Sequence, residues 1–402
     1  MNKKLKLALI ILSSIALTIT RIPIGKSQVY TDLININPDG SIDPPTSLIQ
    51  RNGDVFTLTG DTAGFLVIAR NNTVFDGAKH QVQGISGPPA GNATYYNASQ
   101  LSQCLNLTII NSVIDKGWIA FLQLSNSTIA NNTIVNGRGI SWYGNGNTVS
   151  GNIVTNNNVT SNALSFGGTN NTIIGNNITG TNSGGIAVGG NGNIVIGNYI
   201  TGSNSSGIDL GMSSYQNTIV GNQVTDNSVG VRTLSVYSQG SAYDNVIFYN
   251  NFVNNTKNVD NALLITSEVS VNNWDNGTFG NYWSNYNGTD TNQDGVGDTP
   301  YVIDAGNRDH YPLMTPVDIP TIILNILGSP KPSTSPSPSP STSPSPSTSP
   351  SPTIAPSESA GSSPSSTLSP SPSIPEFPPA IVLSLIAATA FLLVFARRSK
   401  HR

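Results

Sequence analysis

One asparagine recurs along the middle of this 402-residue chain, as Asn132, Asn152, Asn176, Asn198, Asn222 and Asn250, at successive gaps of 20, 24, 22, 24 and 28 residues. Three positions before each stands Ile129, Val149, Ile173, Val195, Ile219 or Ile247. Two positions after each stands Ile134, Val154, Ile178, Ile200, Val224 or Phe252. Disordered Asn, Ser and Thr-rich sequence has no reason to hold apolar residues at fixed offsets from one polar position. A period near two dozen residues is instead that of stacked coils, each burying its apolar side chains against its neighbours. Gly151, Gly175, Gly197 and Gly221 directly precede four of the six asparagines, as a tight bend through left-handed backbone angles requires. Stacked in this way, each asparagine amide donates to one neighbour and accepts from the other, so the buried polar column satisfies itself.

A second repeat lies out of phase with the first. Ile119-Ala120-Phe121, Ile140-Ser141-Trp142, Leu164-Ser165-Phe166, Ile186-Ala187-Val188, Ile208-Asp209-Leu210 and Val231-Arg232-Thr233 place mostly large apolar residues around a small or polar one. That alternation marks a strand with one buried face. Stacking then aligns Phe121, Trp142, Phe166, Val188 and Leu210 inside the coil as core, and turns the middle residues outward. The fold expected is all-β, a right-handed single-stranded parallel β-helix.

Charged residues are only 10% of the chain and the net charge is −3, which leaves no basic footprint for nucleic acid. Cys104 is the only cysteine, so no intrachain disulfide and no zinc-type cysteine cluster exists. Residues 1–28 carry Lys3, Lys4 and Lys6 before the apolar run 7–17 and read as a secretory signal. The β-helix is assigned to 29–272, an aromatic and Asp-rich cap to 273–315, and a linker with a Pro/Ser/Thr-rich stalk to 316–373. Such a stalk builds no core and stays disordered and extended, at about 3.1 Å per residue. Residues 374–402 hold an uncharged apolar segment, 380–396, followed by Arg397, Arg398, Lys400 and Arg402. That is the pattern of a C-terminal transmembrane helix with its basic end in the cytoplasm and the body outside. Pro375-Glu376-Phe377 before it resembles the PEF-type C-terminal sorting signal of archaeal surface proteins. Many Asn-x-Ser/Thr acceptors, among them Asn106, Asn126, Asn170 and Asn254, fit an exported glycoprotein.

The early segments Leu33-Ile34-Asn35-Ile36 and Asn71-Asn72-Thr73-Val74-Phe75-Asp76-Gly77 lead into the repeats. The chain then reads Trp274-Asp275, Gly280-Asn281-Tyr282-Trp283-Ser284-Asn285-Tyr286, Asp294-Gly295-Val296-Gly297-Asp298-Thr299-Pro300-Tyr301 and Tyr311-Pro312-Leu313-Met314. With these, the body resembles the right-handed parallel β-helix proteins of the NosD-like group, over roughly 30–315. The resemblance implies that fold, an extracytoplasmic location, and ancestry shared with carbohydrate-binding and sugar-cleaving β-helices. It also implies a link to copper, from which this sequence departs. His80, Cys104, Met212, His310 and Met314 are scattered without ligand spacing, so a copper centre is not expected.

The sharpest chemical motif is 290–298. Asp290, Asn292, Asp294 and Asp298 alternate around Gly295, and the Val296 carbonyl supplies a further oxygen, as in an acidic loop folded around Ca²⁺. Tyr301 stands where a bidentate Glu would complete such a site. A turn held by local Asx hydrogen bonds is the plainer reading. On the outward face of the triplet sheet, Asp209 and Arg232 are the only residues of the six fitted for acid, base or electrostatic work. They fall on adjacent coils ~4.8 Å apart, where a simple ion pair is the plainer alternative to catalysis. A glycosidase needs two carboxylates flanking the bond, and no second one is expected at a matching position. Two longer loops, 87–100 with Tyr95 and Tyr96 and 235–244 with Tyr237 and Tyr243, border the same sheet and offer rings suited to sugars. Plain loop packing uses tyrosines equally well.

The function expected is a membrane-anchored, cell-surface β-helix, non-catalytic, that contacts extracellular polysaccharide or an envelope glycoprotein. A polysaccharide lyase or glycoside hydrolase centred on Asp209 and Arg232, and an accessory copper-handling protein, are the alternatives.

Overall fold

A computed structural model describes residues 33–88, 103–157, 161–211, 214–233, 242–261 and 270–327. Within them the chain winds as a parallel β-helix with three sheets, of eleven, ten and eight strands. Sheet 1 is built from strands such as Trp118–Phe121, Gly139–Tyr143, Leu164–Gly167, Ile186–Val188, Ser206–Asp209, Val229–Arg232 and Lys257–Asp260. Sheet 2 contains Thr148–Ser150, Thr172–Ile174 and Ile194–Ile196, and sheet 3 contains Ile153–Thr155, Asn177–Thr179 and Tyr199–Thr201. Successive coils stay in register, Ile119 on Ile140 on Leu164 on Ile186 on Ile208 on Val231. The apolar residues at both offsets from the repeating asparagine are all buried, as are Phe121, Trp142, Phe166, Val188 and Leu210. Trp142 stacks on Phe166 with centroids 4.9 Å apart.

The asparagine column forms as its spacing requires. Each Nδ2 donates to the Oδ1 of the asparagine on the next coil at 2.9–3.0 Å, from Asn132 through Asn250 and on to Asn281. The same Oδ1 also accepts the backbone N–H of the previous rung, as Asn198 does from Asn176 at 3.0 Å. The second N–H of each amide reaches a carbonyl on the earlier coil, Asn198 to Ile173 at 2.9 Å. The residue ahead of each ladder asparagine bends through the left-handed region: φ is 61° at Gly151, 62° at Gly175, 66° at Gly197 and 60° at Gly221. Asn131 at 56° and Tyr249 at 54° hold the same place without being glycine.

A second ladder, absent from the sequence-based expectations, runs through Asn147, Asn171, Asn193, Asn217 and Asn245, each five residues upstream of the first, and on to Asn272, with amide contacts of 2.8–3.0 Å. A third corner carries Thr181, Ser203, Asn227 and Asn255. Each five-residue step from one corner to the next is one short side of the coil. Asn147-Thr148-Val149-Ser150-Gly151-Asn152 is one such side, with its middle apolar residue pointing inward.

The cap closes both long ladders. Asp309, buried, accepts from the Asn281 backbone N–H at 2.7 Å and from Trp283 Nε1 at 2.8 Å, so a carboxylate ends a column that needs only an acceptor. A Cβ on Gly280 would lie 1.7 Å from the Asp309 carboxylate, which explains the glycine in Gly280-Asn281-Tyr282-Trp283. Trp283 also stacks between Phe252 (4.6 Å) and Tyr301 (4.4 Å), sealing the open end of the apolar column. Asn307 ends the second ladder, accepting from Asn272 N–H at 2.9 Å and Trp274 Nε1 at 3.1 Å.

After the cap, Val317 exchanges both backbone hydrogen bonds with the Asn251 side chain, at 2.9 Å each. A helix, α1 (Ile319–Leu327), follows, with Asp318 at its start accepting from Ile322 N–H at 3.1 Å. Ile323 and Ile322 sit against Gly197 and Gly221, where a Cβ would approach them to 2.3 and 2.8 Å. The chain divides into two compact units after Ile323, and the described residues of the second, 324–327, are the end of α1. No helix among the described residues is long and apolar enough to cross a membrane. The leader 1–28, the stalk 329–373, the PEF-like tripeptide and the apolar segment 380–396 lie outside the described residues.

Replacing Asn198 with Ala removes the acceptor of two Asn176 donors and two donors of its own, all buried. We expect a loss of about 2–4 kcal/mol in urea denaturation. Asn177→Ala, at an exposed neighbouring position, serves as the control and should change stability by no more than about 0.5 kcal/mol.

Candidate functional site

The outward face of sheet 1 is almost bare of chemistry until its last coils. Ala120, Ser141, Ser165 and Ala187 precede Asp209 in register, and Arg232 follows Asp209 on the next coil as its spacing predicts. One expectation needs correction, because a second carboxylate is present. The strand Lys257–Asp260 continues the sheet and pairs Asp260 with Arg232. The expectation failed because Val259 is followed two positions on by Asn261 rather than by an apolar residue, which hides the triplet pattern. The gap of 28 from Arg232 to Asp260 does match the gap from Asn222 to Asn250.

Arg232 therefore lies between two carboxylates, with Nη1 3.7 Å from Asp209 and Nε 3.9 Å from Asp260, while Lys257 holds Asp260 at 2.7 Å. Burial pushes the Asp209 carboxyl up to about 6, against the pull of Arg232. Its Oδ1 is buried and has no hydrogen-bond partner. Asp309 is also raised to about 6, by burial, with hydrogen bonds from Asn281, Trp283 and Tyr311 acting the other way.

Beside this sheet, where the chain turns from sheet 1 towards sheet 2, lies a groove of about 540 Å³. Its floor is Gly167, Gly168, Gly189 and Gly190 with the edges of Phe121, Trp142 and Phe166. Tyr143, Ser141, Ser165, Thr169, Asn191 and Tyr215 stand around it. Tyr143, 64% exposed, lays its ring over Gly167, where a Cβ would come within 2.7 Å of it. Thr169, Asn191, Tyr215 and Tyr243 form a column of parallel bridges on successive coils. The Tyr215 and Tyr243 rings stack with centroids 5.2 Å apart and planes nearly parallel, at 3°.

Of the four tyrosines named from sequence, Tyr243 does not line the groove but stacks on Tyr215, which does, and Tyr95, Tyr96 and Tyr237 lie outside the described residues. Tyr143 and Tyr215 were missed. The signals for them are present: Tyr143 alternates with Trp142, and the column sits two residues ahead of Asn171, Asn193, Asn217 and Asn245.

In the acidic loop, Asp290 accepts from Gly295 N–H at 2.9 Å and Asp294 N–H at 3.2 Å, Asn292 from Asp294 N–H at 3.2 Å, and Asp294 from Val296 N–H at 2.8 Å. The Asp298 carboxylate turns towards Thr291 and Thr289, whose hydrogen bonds to it hold its pKa below the usual carboxylate range. The loop closes through its own groups. Among the described residues, no three His, Cys, Asp or Glu side chains converge as a metal-holding group. His80 pairs with Asp61, His310 with Asp275, and Cys104 is buried with its thiol pushed up to about 11. Met212 lies outside the described residues. These donors do not fit a copper site, since imidazoles tied to separate carboxylates and an inert thiol offer no common centre.

Residues 71–288, more than half of the chain, match the family model described as periplasmic copper-binding protein (NosD). The chain belongs to the NosD family. No curated protein sequence matches this family member. Among solved structures it is similar to a mutant of the periplasmic alginate epimerase AlgG (13% identity, 55% of this chain and 70% of that one, TM-score 0.29). It is also similar to the tailspike of E. coli bacteriophage HK620 in complex with a pentasaccharide (14%, 58% and 59%, 0.34). A third is the A-module of the Azotobacter vinelandii mannuronan C-5 epimerase AlgE4 (12%, 62% and 82%, 0.27). This NosD-family chain spans less than two thirds of the tailspike.

The Asp209 environment fixes a sign for pH dependence. Its folded-state value of about 6 exceeds the ordinary 3.8, so its stabilising contribution is complete below about pH 4 and is lost as pH rises through about 6. Asp209→Asn should raise stability at pH 7.5 by up to about 3 kcal/mol and leave it nearly unchanged at pH 4. Thermal denaturation of both proteins at the two pH values measures the difference.

Proposed function

We propose that this NosD-family β-helix works outside the cytoplasm as a non-catalytic glycan-binding protein. In this reading it is exported by its leader, raised on its Pro/Ser/Thr stalk and held at the membrane by the 380–396 segment. The observation that carries it is the groove beside sheet 1. Tyrosine rings with free faces, a flat glycine floor and small hydroxyl side chains are the chemistry that recognises sugar rings. The family description supports the location. Binding without cleavage is favoured because Arg232 stands between Asp209 and Asp260, in the space a scissile glycosidic bond would occupy.

The unpartnered Asp209 oxygen, with its pKa raised by burial, supports a second reading, a polysaccharide lyase or glycoside hydrolase at Asp209, Arg232 and Asp260. One experiment separates the two. Purified full-length protein is offered immobilised polysaccharides and scored for retention and for release of reducing or unsaturated ends. We expect retention without release, and a fall of about fivefold or more in affinity for Tyr215→Ala. Release that disappears in Asp209→Ala would establish the enzyme instead.

A further inference from the structure

Resting on the glycan-binding reading, we infer that the groove takes an uncharged oligosaccharide of about three rings, lying along the solenoid axis with Tyr143 at one end and Tyr215 at the other. Three observations carry this. First, none of the described residues lining the groove is Asp, Glu, Lys, Arg or His. A uronate, sulfated or phosphorylated sugar would surrender hydration there without meeting a cation, which is costly for any charge. The outward face offers no rescue, since the next residue in register after Ala187 is the carboxylate of Asp209.

Second, the polar groups that do line it, the hydroxyls of Ser141, Ser165 and Thr169 and the amide of Asn191, donate and accept weakly and in several directions, as neutral sugar hydroxyls require. Third, the geometry sets direction and length. Tyr143 and Tyr215 stand three coils apart, about 14 Å at ~4.8 Å per coil. The glycine shelf between them keeps the path clear of side chains. One coil advances the protein by close to one pyranose ring, so successive rings meet equivalent surfaces on successive rungs. The stacked Tyr215 and Tyr243 pair gives the terminal ring a broad, rigid platform at low conformational cost.

The test is calorimetry on the full-length protein with neutral oligosaccharides of two to six rings (gluco-, manno- and cello-series) and with oligouronates of the same lengths. Expected is binding of at least one neutral series, with affinity rising to about three rings and then levelling. Tyr143→Ala, at an exposed position, should weaken that binding about fivefold or more. Ser141→Arg, also exposed, should shift preference towards the oligouronates. Stronger binding of oligouronates by the unaltered protein overturns the inference while leaving glycan recognition standing. So does affinity that climbs steadily to six rings, or an unchanged Tyr143→Ala. Failure to bind any saccharide, or capture of apolar peptides in their place, overturns the glycan-binding reading as well.

Discussion

The structure depends on the relay of asparagine amides along the corners of the coil. A solenoid buries backbone and side chains along a continuous axis, and any polar group placed there needs a partner. The primary amide meets the need with two donors and an acceptor: it donates forward to the next coil and back to an earlier carbonyl, and its oxygen accepts from the previous rung's amide and backbone N–H. Because Asn152, Asn176 and Asn198 use identical bonds, the coils are interchangeable in register and the apolar columns of all three sheets are aligned as a consequence. A relay of this kind must start and stop. Ser112 opens the first ladder by donating its backbone N–H to Asn132, and Asp309 closes it.

That closure gives the cap its sequence. Gly280 makes room for the Asp309 carboxylate, Asn281 extends the ladder, Tyr282 extends sheet 3, and Trp283 both donates to Asp309 and covers the apolar column. The aromatic and Asp-rich segment is therefore a terminator of two hydrogen-bond ladders. Its acidic loop is organised by the same local chemistry, with carboxylates accepting from backbone N–H groups close in sequence.

The candidate sites lie where regularity lapses. Over most of sheet 1 the outward residues are Ala and Ser, which leaves a smooth wall. The corner beside it carries glycines in the middle coils and tyrosines at the ends, and that change in side-chain volume alone opens the groove. Further along, charge appears as an Asp-Arg-Asp series with Lys257 at its edge. The series balances itself, and its loose contacts of 3.7 and 3.9 Å leave Asp209 partly desolvated and incompletely paired. Among the described residues, the donors that could serve copper do not converge: His80 belongs to an early coil and His310 to the cap, each held by its own carboxylate.

The sequence by itself determined the coil, because periodicity is a property of spacing. Apolar residues at fixed offsets from Asn132 to Asn250, left-handed bends at Gly151 to Gly221, and the inward column from Phe121 to Leu210 could all be read from it. The second ladder was equally legible, five residues ahead of the first. It was missed because Asn147 and its successors look like ordinary Asn-Thr turn residues until their burial is known. Only the tertiary structure decided which side chains share a site. Coil lengths along the first ladder vary from 20 to 31 residues, and that variation decides which outward residue meets which. Asp260 comes to face Arg232, Tyr215 to stack on Tyr243, and Tyr143 to cover Gly167 because those pairs are neighbours across coils and not along the chain.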